Sequence, residues 1–176
     1  QTDHHANHPG KELTFMKHMS LQEIAAACGG IYHGDPAAAV REVSSVVIDS
    51  RKVEKDSLFI AIKGARVDGH TFISQVMEKG ALCAVSEQDL GDAGYPYIRV
   101  SSCEQALKDI AEHSRRSLDI KVVGISGSVG KTSTKEMIAS VLSQKYSVLK
   151  TEGNFNNEIG LPLTVFNIRE EHEIAV

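Results

Sequence analysis

Apolar positions along this chain fall into short runs whose period alternates between that of a helix and that of a strand. Ser20 and Glu23 have the spacing of a capping box, and Leu21, Ile24 and Ala25 follow at helical intervals. A first helix is therefore predicted to open near residue 19 and to stop at Gly29-Gly30. Two runs rich in β-branched residues follow, 43–48 and 58–62, separated by a charged segment that opens with Asp49-Ser50-Arg51-Lys52. A polar stretch from Gly64 to His70 leads into a predicted helix over about 71–79, ended by Gly80. Strands are predicted at 81–85 and 97–100. Ser101 and Glu104 read as a second capping box, opening a helix to about Arg116. Residues 120–125 are apolar enough for a buried strand. The helix predicted after it, over 131–146, places Met137, Ile138, Val141 and Leu142 on one face, and a further strand is expected at 147–150.

Alternating short strands and helices predict α/β architecture. A boundary is expected near 117–120. Residues 19–116 can close a small α/β core of their own, whereas 117–176 supply one strand, one helix, a second strand and a loop. A doubly wound nucleotide domain takes roughly 100 residues or more, so the second part reads as the truncated start of a parallel-sheet domain. Residues 171–176 read as the beginning of another strand. Residues 1–18, with His4, His5 and His8, are read as a disordered leader and left out of the fold.

Composition narrows the classes. The 176 residues are 41% apolar and 24% charged, as expected of a globular chain, and the formal net charge of −4 gives no global basic field for nucleic acid or membrane. Cys28, Cys83 and Cys103 show no paired metal spacing, and an odd count argues against a disulfide framework, so a reducing, cytoplasmic setting is expected. No apolar run approaches the ~20 residues of a membrane span.

The chemistry concentrates in Gly124-Ile125-Ser126-Gly127-Ser128-Val129-Gly130-Lys131-Thr132-Ser133. A predicted strand, a glycine-rich turn, then a lysine and two hydroxyls opening a helix is an arrangement that cradles a nucleotide triphosphate. Backbone N–H groups approach phosphate oxygens, and the helix N-terminus adds partial positive charge. Lys131 can reach the β and γ phosphates and the Thr132 hydroxyl can hold Mg2+. Ile125 stands where the longer form of this motif has its first glycine, leaving the shorter Gly127-x-x-Gly130-Lys131-Thr132 core.

Three segments together resemble the Mur ligase family, and within it the MurF branch. The first is Asp49-Ser50-Arg51-Lys52, with Asp56 to Gly64 and Asp68-Gly69-His70. The second is the phosphate loop, whose isoleucine the family shares. The third is Gly153-Asn154-Phe155-Asn156-Asn157-Glu158-Ile159-Gly160-Leu161-Pro162, an Asn-rich loop that favours this branch over its sisters. The resemblance implies a UDP-substrate domain at 19–116 and an incomplete ATP-binding domain at 117–176. It implies ATP held by Gly127, Ser128, Val129, Gly130, Lys131, Thr132 and Ser133, with Lys131 catalytic and Thr132 on Mg2+. Ser50, Arg51, His70, Asn154, Asn156 and Asn157 would face the substrates, UDP-N-acetylmuramoyl-tripeptide and D-alanyl-D-alanine. The implied reaction is ATP-dependent amide formation in cytoplasmic peptidoglycan precursor synthesis, by a monomeric parent protein of which this chain alone is expected to be inactive.

Other readings of the same residues stay open at this point. His70 can serve as a helix cap, Asp49-Ser50-Arg51 as a solvated turn, and the asparagines as turn formers. A sister Mur ligase, a folylpolyglutamate-type amide ligase, a generic phosphate-loop kinase or NTPase, and a non-catalytic UDP-sugar-peptide binder are the competing functions.

Overall fold

The computed structural model describes residues 19–153, 157–169 and 171–176, so the leader 1–18 lies outside the described residues. The chain opens with β1 (Met19–Ser20) and α1 (Leu21–Ala27). The Ser20 hydroxyl accepts the Glu23 N–H at 3.2 Å, which is the N-cap half of the expected box, and itself donates to the Glu23 carboxylate at 3.4 Å. The other end closes as the glycine pair predicts. Gly29 takes φ +62°, its N–H bonds the Ala26 carbonyl, and Gly30 N–H reaches back to Ala25, so two otherwise orphaned carbonyls are satisfied.

A five-stranded sheet then assembles from β2 (Ile31–His33), β4 (Ser45–Val47), β5 (Ser57–Ile60), β6 (Cys83–Ser86) and β7 (Tyr97–Arg99), in the order β2-β7-β6-β5-β4. β3 (Glu42–Val43) instead pairs antiparallel with β1. Pairings from β4 through β7 are parallel and only the β2 edge is antiparallel. Both faces are covered, which explains the near-continuous apolar runs. Leu58, Ile60, Cys83 and Val85 point to one side, against α1 and α3 (Cys103–Arg116). Phe59, Ala61 and Ala84 point to the other, against Ile73 and Val76 of α2 (Ile73–Glu78). Fully burying Leu107 and Ile110 of α3 contributes about 1.5–3 kcal/mol each. α3 begins one residue later than the sequence suggests. Ser102, not Ser101, is its N-cap, accepting Gln105 N–H at 3.2 Å, because the Cys103 N–H is already taken by the Glu87 carboxylate at 3.0 Å.

The second sheet is formed by β8 (Lys121–Val122), β9 (Val148–Leu149) and β10 (Ile174–Ala175), in the parallel order β8-β10-β9. Between them lie α4 (Lys131–Leu142) and α5 (Gly160–Val165). Two expectations fail here. β8 is short and exposed instead of a buried strand over 120–125, since it is an edge strand of this sheet. α4 turns Lys135 and Ala139 inward with Ile138 and Leu142 half-buried, leaving Met137 66% and Val141 70% exposed, so the apolar face read from the sequence is packed only in part. The packed row begins with Lys135, which a hydrophobicity count scores as solvent-facing. The two sheets are not independent: α5 packs on α3, and Phe166 is buried in the same core as Leu107 and Ile110. No helix among the described residues is long and apolar enough to cross a membrane.

Candidate functional site

Because β8, β9 and β10 are parallel, their carboxyl ends open on one side, the position where open α/β sheets bind ligands. The segment leaving β8 is the glycine-rich loop, and the segment leaving β9 is Thr151 to Gly153. These two segments and the start of α4 line a cleft of about 580 Å3, with Leu161 and Thr164 of α5 on a further wall. Gly130 is the residue at which the loop turns into α4. Its φ of +78° lies in the left-handed region that a side chain disfavours, and no side-chain cap occupies the first N–H groups of the helix. An uncapped helix start beside the cleft is what a phosphate site needs.

Of the loop residues named from sequence, Gly127, Lys131 and Thr132 line the cleft, and Ser128, Val129, Gly130 and Ser133 do not. Ser128, Val129, Thr132 and Ser133 are exposed, Val129 to 88%. The Lys131 ammonium lines the cleft and donates to the Gly127 carbonyl, curling back over the loop. One cleft residue was missed. Lys135, one helical turn beyond Lys131, is only 7% exposed and also lines the cleft. Its signal is the recurrence of lysine at i and i+4 on the helix that follows the loop. Lys135 Nζ donates to the carbonyls of Thr151 at 2.7 Å and Gly153 at 3.2 Å. The adjacent Glu136 is drawn to Lys150, which holds its carboxyl below the usual range.

Of the asparagines, Asn154 and Asn156 lie outside the described residues. Asn157 is described, and its Oδ1 accepts the Gly160 N–H where α5 begins.

The residues expected near the uridine or diphosphate lie apart from the phosphate cleft. Asp49, Ser50 and Arg51 follow β4 in a single 3-10 turn, Ser50–Lys52, capped by the Asp49 carboxylate on Arg51 N–H. The Arg51 guanidinium doubles back on Asp49 at 2.8 and 3.0 Å, which pulls the Asp49 carboxyl well below the usual carboxylate range. Neither Ser50 nor Arg51 lines the phosphate cleft. Their neighbours Asp49 and Lys52 line a second cleft of about 460 Å3, whose opposite wall carries Lys150, Asn167 and Arg169. That cleft runs between the edge of the first sheet and the second.

His70 is placed differently again. Its side chain is 5% exposed, with Nδ1 2.7 Å from Asp68 Oδ1 and Nε2 accepting the Glu87 N–H at 3.0 Å. Both ring nitrogens are thus used inside the protein. The Asp68 carboxyl is depressed, first by the His70 backbone N–H and then by its ring. Gly69 must be glycine beside it, because a Cβ there would meet the Ile62 carbonyl at 2.8 Å. Among the described residues no group of three or more His, Cys, Asp or Glu side chains is placed to hold a metal ion.

Comparison with known proteins agrees with this geometry. Residues 42–115 match the Mur ligase family, catalytic domain, and residues 125–176 match the Mur ligase middle domain. The UDP-N-acetylmuramoyl-tripeptide--D-alanyl-D-alanine ligase of Bacillus subtilis is 43% identical over 136 residues, covering 76% of this chain and 30% of that protein. The crystal structure of MurF from Acinetobacter baumannii superimposes with a TM-score of 0.83 at 34% identity, over 92% of this chain and 35% of that one. MurF from Thermotoga maritima in complex with ADP superimposes with a TM-score of 0.69 at 37% identity, over 75% of this chain and 31% of that one. The chain thus spans about a third of the length of the relatives it matches. The mixed α/β fold, the short phosphate loop and the segment following β4 all lie within these matches, and the chain belongs to the Mur ligase family.

Proposed function

We propose that this chain carries the UDP-substrate and phosphate-binding parts of an ATP-dependent ligase that joins D-alanyl-D-alanine to UDP-N-acetylmuramoyl-tripeptide. The observation that carries the reading is the cleft at the carboxyl ends of β8, β9 and β10, where an uncapped helix start, Lys131 and the loop backbone face one space. Its kinship with MurF proteins, one of them solved with ADP, supplies the nucleotide. Residues 19–116 form the UDP-substrate unit and 117–176 belong to the ATP unit. A cytoplasmic setting and a monomeric state go with the reading.

In the reaction, a carboxylate oxygen of the tripeptide attacks the γ-phosphorus, the bond to the β-γ bridging oxygen breaks, and ADP leaves. The amine of D-alanyl-D-alanine then attacks the carbonyl carbon of the acyl phosphate. The tetrahedral intermediate collapses with loss of inorganic phosphate, and the nitrogen gives up its proton to form the amide. Two anions must meet in the first step, so the site's work is charge management and positioning. Backbone N–H groups from Gly127 to Ser133 hold the phosphates, and Lys131 exchanges its Gly127 carbonyl for phosphate oxygens. Mg2+, when bound, neutralises phosphate charge, and the exposed Thr132 hydroxyl in the first turn of α4 fits that role. The second cleft suits the UDP moiety, since Lys52 and Arg169 offer cations for a diphosphate beside the carboxylates of Asp49 and Glu152. Ser50 and Arg51 lie in sequence between its lining residues Asp49 and Lys52, and Asn157 caps α5, which supplies Leu161 and Thr164 to the phosphate cleft. His70 braces the loop between β5 and α2 and contributes to substrate binding through that loop.

Calorimetric titration with ATP and Mg2+ tests the phosphate cleft. ATP binding by the wild-type chain, weakened about tenfold or more in Lys131→Ala, is expected. A folded chain that ignores ATP would contradict the reading.

A further inference from the structure

Lys135 is a lysine the reaction above does not use, and its placement is costly for a solvent-seeking ammonium. It is 7% exposed, and Glu136, whose oxygen is 3.8 Å away, is already bound to Lys150. A buried cation of this kind persists when its donors are used. Here they go to the carbonyls of Thr151 and Gly153, the two residues that form the β9 side of the phosphate cleft. The same helix carries Lys131 one turn earlier, on the opposite flank of that cleft. A single side chain therefore spans from the phosphate-loop helix to the facing wall.

We infer that Lys135 is the positioning residue of the nucleotide cleft, clamping the Thr151–Gly153 wall to α4 so that the site is preformed for a polyphosphate. The inference rests on the phosphate reading of the cleft and adds a residue to it. Preorganisation raises affinity by removing the ordering that binding would otherwise require. Among the described residues the wall has one further backbone anchor at Thr151. Thr151 N–H bonds the Val176 carbonyl, which fixes the exit of β9 but not Gly153.

The test compares the wild-type chain, Lys135→Met and Lys135→Arg by ATP titration and by amide hydrogen exchange. Methionine keeps the length and packing of the stem but leaves two carbonyls unpaired. In K135M, ATP affinity should fall about tenfold or more and exchange should quicken across 151–153, with the rest of α4 and the first sheet unchanged. Arginine keeps the cationic donors and should restore affinity to within about threefold. ATP affinity within about twofold of wild type in K135M overturns the clamp. So does faster exchange spread over all of α4 and β8–β10, because that marks a general stability role. If K135M does not fold, Lys135→Gln is read the same way. Loss of ATP binding by the wild-type chain itself would sink the phosphate reading instead, and the exchange arm alone would then decide the clamp.

Discussion

The Nε2 of His70 accepts the backbone N–H of Glu87 at 3.0 Å, joining the turn after β5 to the end of β6. Glu87 passes the link on, its carboxylate accepting the first N–H of α3 at Cys103. A ring expected to face a ligand thus works as a strut. Removing it in His70→Ala leaves the Glu87 N–H without its acceptor and the Asp68 carboxylate with only the residue-70 backbone N–H. The expected cost is about 1–3 kcal/mol in a denaturant titration. Wild-type stability with lost affinity for UDP ligands would instead return His70 to the binding site.

Phe166 joins the two sheets through a shared core with α3. Phe166→Ala should cost about 3–5 kcal/mol, since a large buried ring leaves a cavity that its neighbours fill only in part. Differential scanning calorimetry should then show the second sheet loosening first. An unchanged melting profile would mean that the two parts do not depend on this contact.

Acid should destabilise the fold. Asp49, Asp68, Asp89 and Glu136 all have carboxyl groups held below their ordinary values, chiefly by hydrogen bonds from Arg51, from the His70 and Gly91 backbones, and from Lys150 respectively. A carboxyl depressed in the folded state stabilises it above the unfolded value, and that contribution disappears as pH falls toward the folded one. Stability is therefore expected to hold from neutrality to about pH 5 and to decline below about pH 4. Asp89 and Glu136 are exposed and Asp49 and Asp68 partly so, so each effect is small. Asp49→Asn should flatten the decline measurably in urea titrations across that window, and an unchanged slope would remove Asp49 from the explanation.

Thiol chemistry should be slow. Burial pushes the Cys103 thiol up to about 12 and raises Cys83 further, while half-buried Cys28 is also raised by desolvation. The thiolate is the reactive form, so maleimide labelling at pH 7.5 should modify Cys28 slowly and the other two only on unfolding. Rapid labelling of Cys83 in the native state would contradict the packing of β6.

What the sequence made legible was local. The Ser20 box, the Gly29-Gly30 stop and the Gly130 turn are each decided by residues a few positions apart, and each is found where the pattern puts it. The phosphate loop belongs to the same class, because its chemistry lies in backbone conformation and one adjacent lysine. Tertiary choices were not legible. Ser101 and Ser102 are both competent caps, and a carboxylate sixteen residues upstream of Cys103 selects between them. The buried face of α4 is set by Lys135 reaching Thr151, a contact that no hydrophobic period encodes. His70 matched a binding motif, but its ring is consumed by Asp68 and by Glu87 seventeen residues away.

The central claim is that one chain presents a UDP-substrate site and a separate phosphate site. Calorimetric titration with UDP-N-acetylmuramoyl-tripeptide, alongside UDP and ATP as separate titrants, tests it most directly. Binding of the UDP ligands by the wild-type chain, kept in Lys131→Ala while ATP binding falls, is the predicted result. A folded chain that binds ATP and neither UDP ligand would contradict the claim and leave a phosphate cleft without a substrate domain beside it.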